Sequence, residues 1–387
     1  MSRTAAAVTS LLLVTSLFAM AVPGSAAIAA TDGSTDDGYA GSHVAFDVEG
    51  DAITDFTVGG SETFSEVRVQ SQSEAGVGAG VGLGAVVDID GAGLSTSAQT
   101  ETSATIAAES GAELSAHDTE RGHLVVAAGD EAQFVEAELA SGASAEADGE
   151  AVVVTDGERE GAFVVVGEGE VAVNDEGDVA ADLAADAELV FRSYADGERD
   201  DEVKAEEAMI AEGAASVELH VEERDGETVS EAVSFGAETA AEAGAEAENE
   251  VEMTVERTVS EGTIVLATVS ESAVGSIEDL EVTVDGEVAA EASSASELEA
   301  AADGEEPRYL IASQNEAEGE ASVYVAIDHF SERTVAMSGD DGSADDASDD
   351  GSTDEASDDA GVDDALPGFG ALAAVIAALL AVGARVR

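Results

Sequence analysis

Between residues 43 and 327 the chain repeatedly alternates apolar and polar positions with a period of two. Residues 43–48, 64–69, 216–222, 251–255, 280–284 and 322–327 all follow this pattern. It places one set of side chains on a core and the other set on the opposite face of a strand. Residues 151–154 and 162–166 are unbroken apolar runs, which suit strands covered on both faces. Asp-Gly pairs at Asp156-Gly157, Asp196-Gly197, Asp225-Gly226 and Asp285-Gly286 lie close to these runs. Such pairs signal hairpins, because both residues tolerate the positive φ of a tight turn. Helical periodicity is confined to short segments. Residues 201–212 carry Val203, Met209 and Ile210 on one side and stop at Gly213, a C′ glycine. Ser296 and Glu299 have capping-box spacing ahead of Ala301 and Ala302. The predicted fold class is mainly β, with short helical inserts. Its sheets pack as a sandwich or, across 42–194, in part as a β-solenoid. The related stretches 122–129 and 161–167 read as two buried strands or as a decayed duplication.

Charge changes the setting of this fold. There are 86 Asp and Glu against 13 Lys and Arg, a formal net charge of −73, yet 44% of residues are hydrophobic. A compact chain so charged repels itself in dilute buffer. In molar salt the Debye length falls to ~3 Å and most of that repulsion is screened. The balance therefore points to a protein of concentrated brine. It also argues against nucleic acid as a partner, since few cations remain to neutralise phosphates. The absence of cysteine excludes disulfides, thiolate metal sites and cysteine nucleophiles.

Composition divides the chain into six parts. Residues 1–29 read as a secretory signal, with Arg3, an apolar stretch over 11–22, and a small-residue cleavage pattern at Ala27 or Ala29. A polar linker covers 30–41. Two β-rich domains follow at 42–186 and 187–337, the second with short helices. Residues 338–365 are almost all Asp, Gly, Ser, Ala and Glu, too polar to offset the entropy of ordering, and read as an acidic stalk. Residues 366–387 open with Pro367-Gly368-Phe369, continue into an apolar run, and end on Arg385 and Arg387. The run over 371–384 would span about 21 Å as a helix, short of the ~30 Å hydrocarbon core. The arginines favour the cytoplasmic side.

This order of acidic spacer, Pro-Gly-Phe, apolar run and arginine end resembles the PGF-CTERM sorting signal of haloarchaeal surface proteins. The resemblance covers only the last twenty or so positions. It implies an archaeosortase-type enzyme that cuts near the motif, with Pro367, Gly368 and Phe369 recognised, and transfer of the new end to a membrane lipid anchor. It also implies a location on the extracellular face of the membrane or in the surface layer (S-layer). The alternative is an apolar C-terminal helix retained in the membrane. Residues 187–337 also resemble a domain of haloarchaeal exported proteins, through 256–262, 282–287 and 329–333, and no activity comes with that likeness.

Catalytic and cofactor motifs are absent from the sequence. There is no G-x-S-x-G, H-E-x-x-H or G-x-x-x-x-G-K-[ST] pattern, and the histidines at 43, 117, 123, 220 and 329 are scattered. The alternate glycines of 76–84 miss nucleotide-binding spacing and suit a close-packed strand or an apolar loop. Asp346 to Gly351 begins like a calcium loop, but Ser357 stands where the bidentate Glu belongs. Asn174, Asn249 and Asn315 are not glycosylation sequons. The expectation is a non-enzymatic surface protein with no cofactor or metal and a structural or binding role. A surface adhesion or solute-binding module is the alternative, and a tethered hydrolase stands behind that.

Overall fold

The computed structural model describes residues 38–339 apart from 76–82, 87–88, 196, 225, 248, 305, 316–318 and 329–331. Among the described residues the chain is mainly β, and its four sheets pack in pairs as two sandwiches. The first sandwich has a seven-stranded sheet ordered Tyr39–Ala40, Val44–Glu49, Ala52–Val58, Ser61–Ser71, Gln133–Leu139, Val179–Leu183, Gly169–Val173. Facing it are eight strands, ordered Ser144–Asp148, Ala151–Thr155, Arg159–Val166, Glu188–Ala195, His123–Ala127, Glu113–His117, Ser103–Ala108, Leu94–Gln99. The described part of 42–194 is thus an antiparallel sandwich and not a solenoid.

The alternation read from the sequence does what it should. Phe46, Phe56 and Phe64 point inward from one sheet and meet Phe163 and Phe191 from the other. With Tyr39 they form a ladder of ring contacts with centroids 4.8–6.1 Å apart. Each such ring fully buried contributes ~1.5–3 kcal/mol from its apolar area. Asp285-Gly286 closes a hairpin with both residues at positive φ (54° and 77°). The pair at 156–157 also lies between paired strands, whereas Asp196 and Asp225 lie outside the described residues.

The second sandwich pairs a six-stranded sheet with a five-stranded one. The six-stranded sheet is ordered Glu227–Ser234, Ala215–Arg224, Thr263–Ser270, Glu320–Ile327, Arg308–Asn315, Ala290–Glu291. The five-stranded sheet is ordered Thr239–Ala247, Glu250–Arg257, Glu332–Gly339, Leu280–Val284, Glu287–Val288. Ala215–Arg224 and Thr263–Ser270 run parallel, because the chain visits the five-stranded sheet between them. Val217, Leu219 and Val221 share this core with Val251, Met253 and Val255.

The linker 30–41 and the stalk 338–365 each lose two residues to strands, Tyr39–Ala40 and the end of Glu332–Gly339, and three further expectations are corrected. A boundary at 186/187 would assign Glu188–Ala195 to the second domain, but this strand pairs with Arg159–Val166 and His123–Ala127 in the first sandwich. The helix Ala295–Ala302 is capped by Ser294, which accepts from the Glu297 N–H, so the cap falls two residues before Ser296. Ala151–Thr155 is buried on one face only, whereas Ala162, Phe163 and Val164 are buried on both. The helix Asp201–Ala211 forms as its sequence predicts, with Asp200 accepting from the Glu202 and Val203 N–H groups and Gly213 at φ +73°. The described end of the glycine-rich segment is a 3-10 turn, Leu83–Ala85. Leu83, Val86 and Ile89 there cluster with Phe134 and Ala180, on the outer side of the seven-stranded sheet.

Strands 122–129 and 161–167 flank Glu188–Ala195 in the eight-stranded sheet. Their outer faces explain why all three are so apolar. Val125, Val164, Val166 and Val190 form one cluster with Ile210, Ala215, Phe235, Ile264, Leu266 and Leu298. The two sandwiches therefore meet through the outer faces of their larger sheets. No helix among the described residues is long and apolar enough to cross a membrane.

Candidate functional site

Among the described residues, most of the buried charge lies at the seam between the sandwiches. Nine arginines lie among the described residues, and five of them, Arg121, Arg159, Arg192, Arg199 and Arg224, sit in or beside this seam. At its centre Arg121 and Arg192 of the first sandwich face Glu206 of the helix and Glu218 of the second sandwich. Arg121 Nη1 lies 2.6 Å from Glu206 Oε2 and 2.9 Å from Glu218 Oε1. Arg192 Nη2 donates to Glu206 Oε2 at 2.7 Å, and its Nε lies 2.9 Å from Glu218 Oε2. Tyr324 donates to Glu206 Oε1 at 2.9 Å, and both guanidinium groups lie over the Tyr194 ring at 5.6 and 5.5 Å. Arg192 has no exposed surface, and Glu218 and Glu206 have 1% and 2%.

Charges removed from water at this depth persist only when paired. Burial opposes the ionised form of Glu218, but Arg192, His123 and Arg121 outweigh it and hold the carboxyl well below its ordinary range. Glu206 is held low in the same way, with Arg121 and Arg192 overcoming its desolvation. Two cations against two anions leave the centre of the seam neutral.

Histidines line the same seam. His123 Nε2 lies 3.0 Å from Glu218 Oε2, and its Nδ1 lies 2.9 Å from Thr119 Oγ1. Burial pushes the His123 pKa down to about 3, so the ring is neutral, with Nε2–H donating to Glu218 and Nδ1 accepting from Thr119. Hydroxyl, imidazole and carboxylate thus stand in the order of a hydrolytic triad. Thr119 and His123 are 1% and 0% exposed, however, so no substrate reaches them, and the carboxylate is already committed to two arginines. His220 Nε2 contacts Glu218 Oε1 at 3.0 Å. Further along the seam His117 Nδ1 meets Glu231 Oε1 at 2.6 Å, with Thr102 donating to the other oxygen of Glu231. His43 faces Glu222, and its pKa is raised by that hydrogen bond.

Asp118 ties this edge together. Its carboxylate accepts from the backbone N–H groups of Ser42, His43 and Val44 and from Arg224 Nη1, all at 2.7–2.8 Å. Gly41 allows that approach, because a Cβ there would collide with the Asp118 carboxylate. Next to these groups a cleft of about 490 Å³ opens between the sandwiches, lined by His43, Glu120, Arg121, Tyr194, Glu202 and His220 among others.

The residues expected to carry the sorting chemistry, Ala27, Ala29, Pro367, Gly368, Phe369, Arg385 and Arg387, lie outside the described residues. So do His329 and the acidic run 346–351. Of the five histidines, the other four converge on the seam although they span 177 positions. Period-two reading assigns Glu218, His220 and Glu222 to a solvent face, since Val217, Leu219 and Val221 take the core. Arg192 and Tyr194 alternate in the same way with Leu189 and Phe191. The signal available in the sequence is the scarcity of cations: an arginine embedded in the apolar run around Phe191 demands a buried partner. No protein-family model matches the chain, and no curated protein matches it.

Proposed function

We propose that this chain is an exported surface protein of a brine-living archaeon, with a structural role outside the cell. An archaeosortase-type enzyme would cut it near Pro367-Gly368-Phe369, and a membrane lipid would anchor the new end, with the acidic stalk, 340–365 once the strand Glu332–Gly339 is taken off, holding the body off the membrane or within the surface layer. One observation carries the structural reading: a neutral network of two arginines and two glutamates, largely buried between the sandwiches, ties them together. A protein whose task is to hold distance or shape benefits from such a tie. Withdrawing arginines from the surface also leaves an exterior dominated by carboxylates, which suits molar salt.

The cleft of about 490 Å³ supports a second reading, a surface module that binds a solute. Expression in a halophilic archaeal host tests the export and anchoring claims directly. Intact-mass analysis of envelope protein should find chains lacking the segment after the Pro-Gly-Phe region and carrying a lipid mass. Phe369→Ala should accumulate uncut. Recovery of only full-length C-termini from the wild type would overturn the processing claim.

A further inference from the structure

Two groups of side chains in the seam bring three metal-ligating atoms within 4.8 Å of one another: His123, Glu218 and His220, and His43, Glu120 and Glu222. Charge separates them. In the first, Arg121 and Arg192 already neutralise the local carboxylates, so a divalent ion would add uncompensated charge to a sealed interior. In the second, Arg224 is shared between Asp118 and Glu222, and Arg159 donates to the Glu120 carbonyl and feels the Glu120 carboxylate, so two arginines stand against three carboxylates. A surplus of negative charge remains there.

Spacing points the same way. His43 Nε2 lies 3.3 Å from both oxygens of Glu222, a slack, evenly shared contact. His117 and Glu231, the same residue pair elsewhere in the seam, close to 2.6 Å. A charge-assisted hydrogen bond contracts to ~2.7–2.9 Å. Two ligands ~2.0–2.2 Å from one tetrahedral ion stand about 3.3–3.5 Å apart. The Arg224 side chain engages Glu222 through Oε1, which leaves Oε2 for another partner. Glu120 is exposed and lines the cleft with His43, so an ion has a route in and the third carboxylate can swing onto it.

We propose that His43, Glu120 and Glu222 form a site for one divalent transition-metal ion of zinc type, bridging the two sandwiches beside the cleft. His43 and Glu120 come from the first sandwich and Glu222 from the second, so the bound ion cross-links them, with its fourth position open to water. A nitrogen donor selects such an ion over the sodium, potassium and magnesium of brine. Because the ion binds the folded state alone, it raises Tm.

The test uses the purified protein in molar KCl with excess Mg²⁺, which suppresses diffuse binding to the polyanion. Calorimetric titration with Zn²⁺ should show one ion per chain, and Co²⁺ should give the intense visible band of tetrahedral coordination. His43→Ala and Glu120→Gln should each weaken binding at least about tenfold. Glu198→Gln, which removes another exposed carboxylate of the cleft, should leave it unchanged. Because Glu120 is exposed, its variant remains folded and keeps the experiment decisive. Three outcomes would overturn the site: no saturable Zn²⁺ uptake by the wild type, unchanged affinity in Glu120→Gln, or an equal loss in Glu198→Gln.

Discussion

Replacing Glu218 with glutamine removes one charge from the sealed centre of the seam and changes little else in shape. In the native protein Glu218 lies 2.9 Å from Arg121 Nη1 and 2.9 Å from Arg192 Nε. At an effective dielectric of ~20 each such contact is worth about 6 kcal/mol gross. Repulsion between Glu206 and Glu218, and the cost of taking both from water, cancel much of that. What remains after substitution is two guanidinium groups sharing Glu206 alone, an uncompensated buried cation, and the expected loss is about 3–5 kcal/mol. For a body of about 300 residues this lowers Tm by roughly 5–8 °C, which scanning calorimetry in molar KCl resolves. Salt screens buried groups weakly, and Glu218, Arg192 and Glu206 have 2% or less of their surface exposed, so the loss should change little across the molar KCl range. Adding Arg192→Met restores neutrality, and the double variant should be more stable than Glu218→Gln alone. A loss under about 1 kcal/mol, or a double variant weaker than the single by the sum of its parts, would refute the account of the seam as a neutral quartet.

Two further predictions concern groups at the edges of this interface. Glu188 accepts from the Gly236 N–H at 2.6 Å, and burial pushes its carboxyl from 4.5 up to about 7, a shift the hydrogen bond only partly opposes. Its folded pKa is the higher one, so its contribution to stability is fully present below about 4.5 and falls as pH rises to about 7. Glu188→Gln should therefore match the wild type near the acid end of that window and exceed it by up to about 3 kcal/mol above it. Paired melts across pH read this directly, and a difference independent of pH would exclude it. Asp200 caps the helix Asp201–Ala211 through bonds of 2.9 and 3.0 Å to the Glu202 and Val203 N–H groups. Asp200→Ala should cost about 0.5–2 kcal/mol in chemical denaturation, and Asp200→Ser should recover most of it.

The two kinds of structure in this chain differ in how local their causes are, and that decides what the sequence discloses. A strand's inner face is set by residues two apart, so 43–48, 216–222 and 251–255 announce their core positions without reference to anything distant. Hairpins are equally local, and Asp285-Gly286 needs only its own positive φ angles to close one. The seam has no such local cause. Glu218 and Arg192 sit at polar positions of alternating strands, where an exposed surface would place the same residue types, and only the docking of a second sandwich turns that face into an interior. The same blindness explains the expected boundary at 186/187. Glu188–Ala195 is apolar on its core face and carries Arg192 and Tyr194 on the other, so its membership is settled by pairing with strands more than 20 and more than 60 residues earlier. Composition nevertheless constrains what pairing must achieve. A chain with 13 cations and 86 anions cannot scatter arginines at random and still bury any of them neutrally. Each buried arginine must draw carboxylates inward, and where carboxylates outnumber the arginines beside them, as around Asp118, Glu120 and Glu222, the excess favours a cation from solution. The quartet at Arg121, Arg192, Glu206 and Glu218 and the unbalanced trio beside it are thus two responses to the same shortage of positive charge.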